Sequence, residues 1–227
     1  MARSTGRFKG FGPRALPFFK ALAFHQTREW FQENRAIYDE EVVAPLTALL
    51  EDLTERFAAE GVPLRGDAKS IFRIHRDVRF AKDKSPYKTH AGAVMTRSGK
   101  KMEPGLLYIH IAAEGSFAAA GSHMPEPDLL LRMREEIRKR PKEFEALQAA
   151  LKKGKLALGT EGQLSRLPKG FEAFKDTPLA GALRLKSFIV EEPFAAGDIE
   201  TPKLADHIVR FTRRAMPLLE FSWATAG

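Results

Sequence analysis

The sequence predicts an α+β protein: an antiparallel sheet of about four to five strands packed by N-terminal and C-terminal helices. Three observations carry this expectation. Apolar residues recur at helical spacing over 13–60, the period shifts to strand-like alternation over 70–124, and 125–227 reads as helices and loop. Helices, strands and helices in three blocks, without βαβ alternation, are the order of an α+β fold. At 227 residues the chain fits one domain, 1–227, whose core needs no staple.

The first helix is expected after Pro13, which suits a first helical position, with Leu16, Phe19 and Ala23 on one face. His25-Gln-Thr27 breaks that pattern, and Thr27 is placed to cap a helix opening Arg28-Glu-Trp-Phe31. Val42, Leu46, Leu49, Leu50, Leu53 and Phe57 then form an apolar stripe, with Pro45 inside it as a kink or a junction. Gly61-Val-Pro63 closes the helical block. Four strands follow, at about 70–80, 89–96, 105–113 and 116–123, with Ser98-Gly99 and Glu114-Gly115 as turns, so a meander is the simplest topology. Beyond Met124-Pro-Glu-Pro127, Leu130, Met133 and Ile137 share a helix face, and Pro141 opens a second helix carrying Phe144, Leu147 and Leu151. Residues 154–182 lack a period and read as a long ordered loop. Leu183–Val190 is a candidate fifth strand, and Leu204, Ile208, Phe211, Ala215 and Leu218 define a last amphipathic helix that Pro217 should bend.

Composition excludes several classes of protein. Hydrophobic residues at 44% and charged ones at 29% fit a folded globular chain. The absence of cysteine removes disulfides, thiolate metal sites and thiol nucleophiles, and it suits a reducing cytoplasm. Pro13, Arg14, Pro17 and Lys20 interrupt what would be the apolar part of a signal peptide, and no stretch of about 18 apolar residues occurs that could span a bilayer. The expectation is a soluble, cytoplasmic protein with no membrane partner.

The net charge of +8 is concentrated. Residues 65–101 hold eleven Lys and Arg against three Asp and no Glu, while the rest of the chain balances 26 basic against 26 acidic side chains. If 72–80 is a strand, Phe72, Ile74, Val78 and Phe80 face one way and Arg73, His75, Asp77 and Arg79 the other. By parity Arg76 falls with the apolar set, where a guanidinium needs a bulge, a carboxylate or a bound anion. Lys82, Lys84 and Lys88 then surround a Ser85-Pro-Tyr87 turn. The candidate ligand-binding residues are therefore Arg76, Asp77, Arg79, Lys82, Lys84, Tyr87 and Lys88.

The run Arg76-Asp-Val-Arg-Phe-Ala-Lys-Asp-Lys-Ser-Pro-Tyr-Lys-Thr-His90, with Arg28-Glu-Trp-Phe31 and Met124-Pro-Glu-Pro127, resembles a bacterial family known as a conserved domain of unknown function. The resemblance extends from Phe8-Lys-Gly-Phe11 to the final helix and implies no activity, but it adds weight to the signature positions.

Other chemistries find less support. Histidines 75, 90, 110 and 123 fall one on each expected strand, yet no HxH or HExxH spacing occurs and the nearby cations repel a metal ion, so neither metal nor cofactor is expected. Ser85 and Ser122 lie in no GxSxG or SxxK context, and Gly10-Phe-Gly12 follows no strand. The expected partner is an anionic, phosphate-bearing ligand, either nucleic acid or a phosphorylated metabolite, with Tyr87, Tyr108 and Phe117 available for base stacking. Two alternatives stand beside it. One is an enzyme acting on a small phosphorylated or carboxylated substrate, with Asp77, Asp83 or Glu29 as acid/base and Trp30 as a stacking ring. The other is an interaction or structural module whose arginines are internally paired.

Overall fold

A computed structural model describes residues 7–226 of the chain, so Met1–Gly6, the basic start weighed against a signal peptide, lies outside the described residues. The fold is α+β, with a four-stranded antiparallel sheet. The chain divides into two compact units. The first takes Met1–Lys101, Tyr108–Ala118 and Pro193–Val209; the second takes Met102–Leu107, Ala119–Glu192 and Arg210–Gly227.

In the first unit, helix α1 (Ala15–Phe24) is followed by α2 (Arg28–Glu33), and Thr27 caps α2 by accepting a hydrogen bond from the Trp30 amide at 3.3 Å. After α3 (Arg35–Tyr38) the helix widens into a π-helical turn over Asp39–Val43 before α4 (Ala44–Ala59). Pro45 is the second residue of α4, directly after the π-helical turn, so it falls at the junction of the two. The predicted stripe from Val42 to Phe57 is fully buried at all six positions. Gly61, at φ +71°, terminates α4 in the left-handed conformation that glycine adopts without strain.

The sheet consists of β1 (His90–Met95), β2 (Leu106–Ala112), β3 (Phe117–Ser122) and β4 (Phe188–Pro193), in spatial order β1-β2-β3-β4. Two expectations change. Residues 70–80 form no strand: Ala68–Ser70 is a 3-10 turn capped by Asp67, and the chain beyond it makes isolated antiparallel bridges, Ile71 with Ala93 and His75 with Tyr87. The cause lies in the side chains. Asp67, Asp77 and Asp83 accept hydrogen bonds from backbone amides two residues ahead, offering the chain an alternative to the ladder. The alternation nevertheless persists, with Ile74 buried, Arg76 and Val78 half-buried, and Arg73, His75 and Asp77 exposed. The last strand also lies later than expected, because Leu183 ends a short helix and pairing begins at Phe188.

In the second unit, α5 (Pro127–Lys139) and α6 (Pro141–Lys153) each open on proline and bury Leu129, Met133, Ile137, Phe144, Leu147 and Leu151. The stretch 154–182 is held down by buried Leu156, Phe171 and Leu179, ahead of α7 (Ala180–Leu183). Trp223 donates its indole N–H to the Gly105 carbonyl at 2.7 Å. Helix α8 (Ala196–Ile199) belongs to the first unit, as does the start of α9 (Lys203–Ala226) with buried Leu204 and Ile208; the part of α9 in the second unit carries Pro217 and buries Phe211, Ala215 and Leu218.

Candidate anion-binding site

The loop between Ile74 and Lys88 is tied at its base and free at its tip. At the base, Arg76 N donates to Pro86 O and Lys88 N to Ile74 O, each at 2.8 Å. Tyr87 is buried there: its amide donates to Gln26 Oε1 at 3.0 Å, and its ring stacks on Phe31 with centroids 4.5 Å apart. Gln26 is itself oriented by donating to the Leu22 carbonyl at 2.9 Å. The end of α1 and the Pro-Tyr turn therefore form one fixed corner. At the tip, Phe80 is 96% exposed between Arg79 and Lys82.

A cavity of about 330 Å³ opens at this corner, lined among others by Gln26, Arg76, Asp83, Ser85, Tyr87 and Lys88. Of the seven residues the sequence nominates, Arg76, Tyr87 and Lys88 meet there. Arg76 forms an ion pair with Asp83, whose other oxygen accepts from the Ser85 hydroxyl at 2.6 Å and amide at 2.9 Å. Those bonds, the Ser85 hydroxyl first and Arg76 next, hold the Asp83 carboxyl well below the usual carboxylate range. Asp77 and Arg79 lie outside this cavity and pair with each other through two bonds of 3.0 and 2.7 Å, which keeps Asp77 low as well. Lys84 donates to the Val78 carbonyl at 2.9 Å, bracing the loop, and Lys82 is exposed away from the lining. Glu29 is exposed on α2 and does not line the cavity, while Trp30 is half-buried, stacked on His25 at 5.3 Å. Carboxylates stabilised so strongly in the ionised form are poor proton acceptors near neutral pH, so Asp77 and Asp83 fit charge pairing better than acid/base work.

Lys88 differs from its neighbours. Its ammonium lies 5.6 Å from the centroid of the Phe72 ring, and the ammonium of Lys101 lies 5.2 Å from the same centroid while donating to the Ile71 carbonyl at 2.5 Å. Burial lowers the Lys88 pKa below its ordinary 10.5, and the charges of Arg73 and Lys101 lower it further. The sequence shows Arg73 on the charged face and Lys101 at the end of the basic stretch, but 28 positions apart their meeting around Lys88 is not visible there. Their proximity arises from the antiparallel bridge of Ile71 with Ala93 and the return of the chain after β1.

A further group was only half visible in the sequence. His90 on β1 and His110 on β2 lie with ring centroids 4.4 Å apart, and His110 Nδ1 shares a 3.0 Å hydrogen bond with the Tyr108 hydroxyl. Among the described residues, no three of His, Asp and Glu converge as metal ligands. Burial first, then the proximity of His90, pushes His110 down to about 4. The consequence for stability has a definite sign. The unfolded imidazole takes its proton near the ordinary 6.5 and the folded one only near 4, so the unfolded chain gains on acidification. The contribution of neutral His110 is full above pH 6.5 and falls away as the pH drops towards 4. In an NMR titration His110 is expected to remain neutral at pH 5, and a His110 resonance titrating near 6.5 would contradict this environment.

These features define an α+β protein with a cationic cleft built on the corner between α1 and the loop that leads into β1. As the sequence resemblance implied, the chain belongs to the conserved hypothetical protein family DUF2461, whose model matches residues 14–221. No curated protein and no solved structure matches the chain. Among the described residues, no helix is long and apolar enough to cross a membrane.

Proposed function

We propose that this protein binds a phosphate-bearing ligand at the cleft around Arg76 and Lys88. One observation carries the reading: Lys88 and Lys101 share the Phe72 ring, Arg73 acts on Lys88, and none of these three cations has a carboxylate within ion-pair distance among the described residues. Like charges held together at a partly desolvated position cost stability unless an anion offsets them. Arg76 lines the same cavity as Lys88 and is available at small cost. Its partner Asp83 is 62% exposed, and exposed ion pairs contribute little, so a phosphate can take over the guanidinium. The dimensions of the cavity favour a small phosphorylated molecule over a long nucleic acid strand.

The test is calorimetric titration with inorganic phosphate, together with anisotropy of a labelled oligonucleotide at rising salt. Saturable phosphate binding that weakens with salt is expected. A strand held through several phosphates would instead show a log–log slope near −0.9 for each phosphate contacted on duplex DNA. Absence of phosphate binding at low salt would remove the proposal. A second reading, a structural loop, draws on the Arg76–Asp83 and Arg79–Asp77 pairs. It is favoured if Arg76→Ala loses stability without losing phosphate binding.

A further inference from the structure

The cationic cleft continues into a second compartment of different chemistry. A cavity of about 580 Å³ adjoins the first, and Ala23, Thr89 and His90 line both. Where the first is lined by Arg76, Lys88, Gln26 and Ser85, the second is lined by Phe19, Phe24, Ala112 and Ala113 together with His90 and His110. Among the described lining residues its formal charges are one cation, Lys20, and one anion, Glu114, which sum to zero.

Two features of this compartment call for an occupant. The first is a fixed row of rings across the sheet. His90 from β1 lies 4.4 Å from His110 of β2, which stacks on Phe117 of β3 at 4.7 Å and 19°, and the bond from His110 Nδ1 to the Tyr108 hydroxyl fixes the plane of the imidazole. Burial keeps both imidazoles neutral near pH 7, so each has one nitrogen that donates and one that accepts. The second feature is Phe24, which ends α1 and is 81% exposed although it lines the cavity. A phenyl ring left in water at a cavity mouth gains from being covered, and a flat ring covers it with the most contact.

We propose that the ligand is a phosphate monoester of a planar heteroaromatic body, of the size of a nucleoside monophosphate, with its phosphate beside Arg76 and Lys88 and its ring among Phe24, His90 and His110. This rests on the anion-binding reading above and goes beyond it by assigning the organic part. A lipid-like chain would offer no hydrogen bond to the imidazole nitrogens that the Tyr108 hydroxyl does not already serve. A second phosphate group would find one formal cation, Lys20, and one carboxylate, Glu114, among the described residues that line the larger compartment. The volume lies within the range of roughly 300–1,000 Å³ usual for small-molecule sites.

The test is a titration of the purified protein with four probes: inorganic phosphate, ribose 5-phosphate, adenosine 5′-monophosphate and adenosine. The nucleotide is expected to bind about tenfold or more tightly than ribose 5-phosphate, the gain a stacked base supplies. Phe24→Ala, which removes no core residue, should bring the nucleotide close to ribose 5-phosphate in affinity. Equal affinities for nucleotide and ribose 5-phosphate in the parent protein overturn this inference and leave the anion reading standing. A nucleotide advantage that survives both Phe24→Ala and His110→Ala places the ring elsewhere and overturns it too. If inorganic phosphate does not bind, or the nucleotide binds no more tightly than adenosine, the anion reading fails and this inference with it.

Discussion

Replacing Lys88 with glutamate is expected to weaken phosphate binding by at least about a hundredfold, because it deletes one charge-assisted contact and places a carboxylate where the anion would sit. The same change should leave the fold as stable as the parent or more so. In the parent, Lys88 is a partly buried cation beside Arg73 and Lys101 with no carboxylate of its own among the described residues. Glutamate at that position would face two cations and turn repulsion into attraction. A residue that lowers stability while serving binding is the behaviour of a functional site, whereas a structural residue loses both together. Phosphate titration and urea unfolding of parent and variant decide the matter. A variant that unfolds at markedly lower urea would mean that Lys88 has a structural partner and that its charge is not a cost. The pH dependence gives an independent check with a fixed sign. The folded pKa of Lys88 is lowered, so between that value and 10.5 the unfolded chain binds more protons, and stability should rise with pH through this window in the parent but not in Lys88→Glu.

Much of the fold was legible because it depends on local rules. Thr27 ahead of Arg28-Glu-Trp is a cap, Pro127 and Pro141 open helices, and the stripe from Val42 to Phe57 is core, as its spacing demands. The sheet was legible wherever alternation coincided with glycine turns, as at Glu114-Gly115, where Gly115 takes φ +149°. Alternation proved insufficient at 72–80. The period of two is present, yet Asp77 and Asp83 turn the backbone and bond to Arg79, Arg76 and Ser85, so an extended chain runs there without a ladder. Sequence shows that a residue can be a strand former; it does not show which competing hydrogen bond wins. The site divides along the same line. Arg76, Tyr87 and Lys88 lie within one loop and could be nominated together. Gln26, Phe72, Lys101 and the His90–His110 pair enter through strand register and the placement of α1, which depend on the packing of distant segments. The carboxylates that occupy Arg76 and Arg79 were visible as neighbours, but only geometry shows that Lys88, like Lys101 beside it, has none at ion-pair distance among the described residues.

Gly121→Ala is expected to cost about 3 kcal/mol or more, enough to unfold a protein of ordinary stability at moderate temperature. Gly121 lies in β3 at φ +127°, a conformation that L side chains rarely adopt, and an added Cβ would stand 2.0 Å from the backbone carbonyl oxygen of Phe188 in β4. The two penalties act together and neither has a cheap escape. Rotating the backbone to relieve φ would break strand pairing, and the clashing atom is main chain, so no side chain can swing aside to make room. A third atom, Leu218 Cδ2, stands 3.1 Å from the same point, so displacing the new methyl away from Phe188 would press it into the core. The control is Gly181→Ala in α7, where the added methyl meets nothing within 4 Å and alanine's better helix propensity should leave stability unchanged or raise it by up to about 1 kcal/mol. Urea unfolding of both variants by far-ultraviolet circular dichroism tests the register directly. If Gly121→Ala unfolds with Gly181→Ala at the parent's midpoint, the close approach of β3 to Phe188 is wrong. If only Gly121→Ala collapses, the pairing that places β4 beside β3 is set by a residue whose requirement is the absence of a side chain, which explains how a sequence as alanine-rich as Phe117-Ala-Ala-Ala-Gly-Ser122 can specify a single strand register.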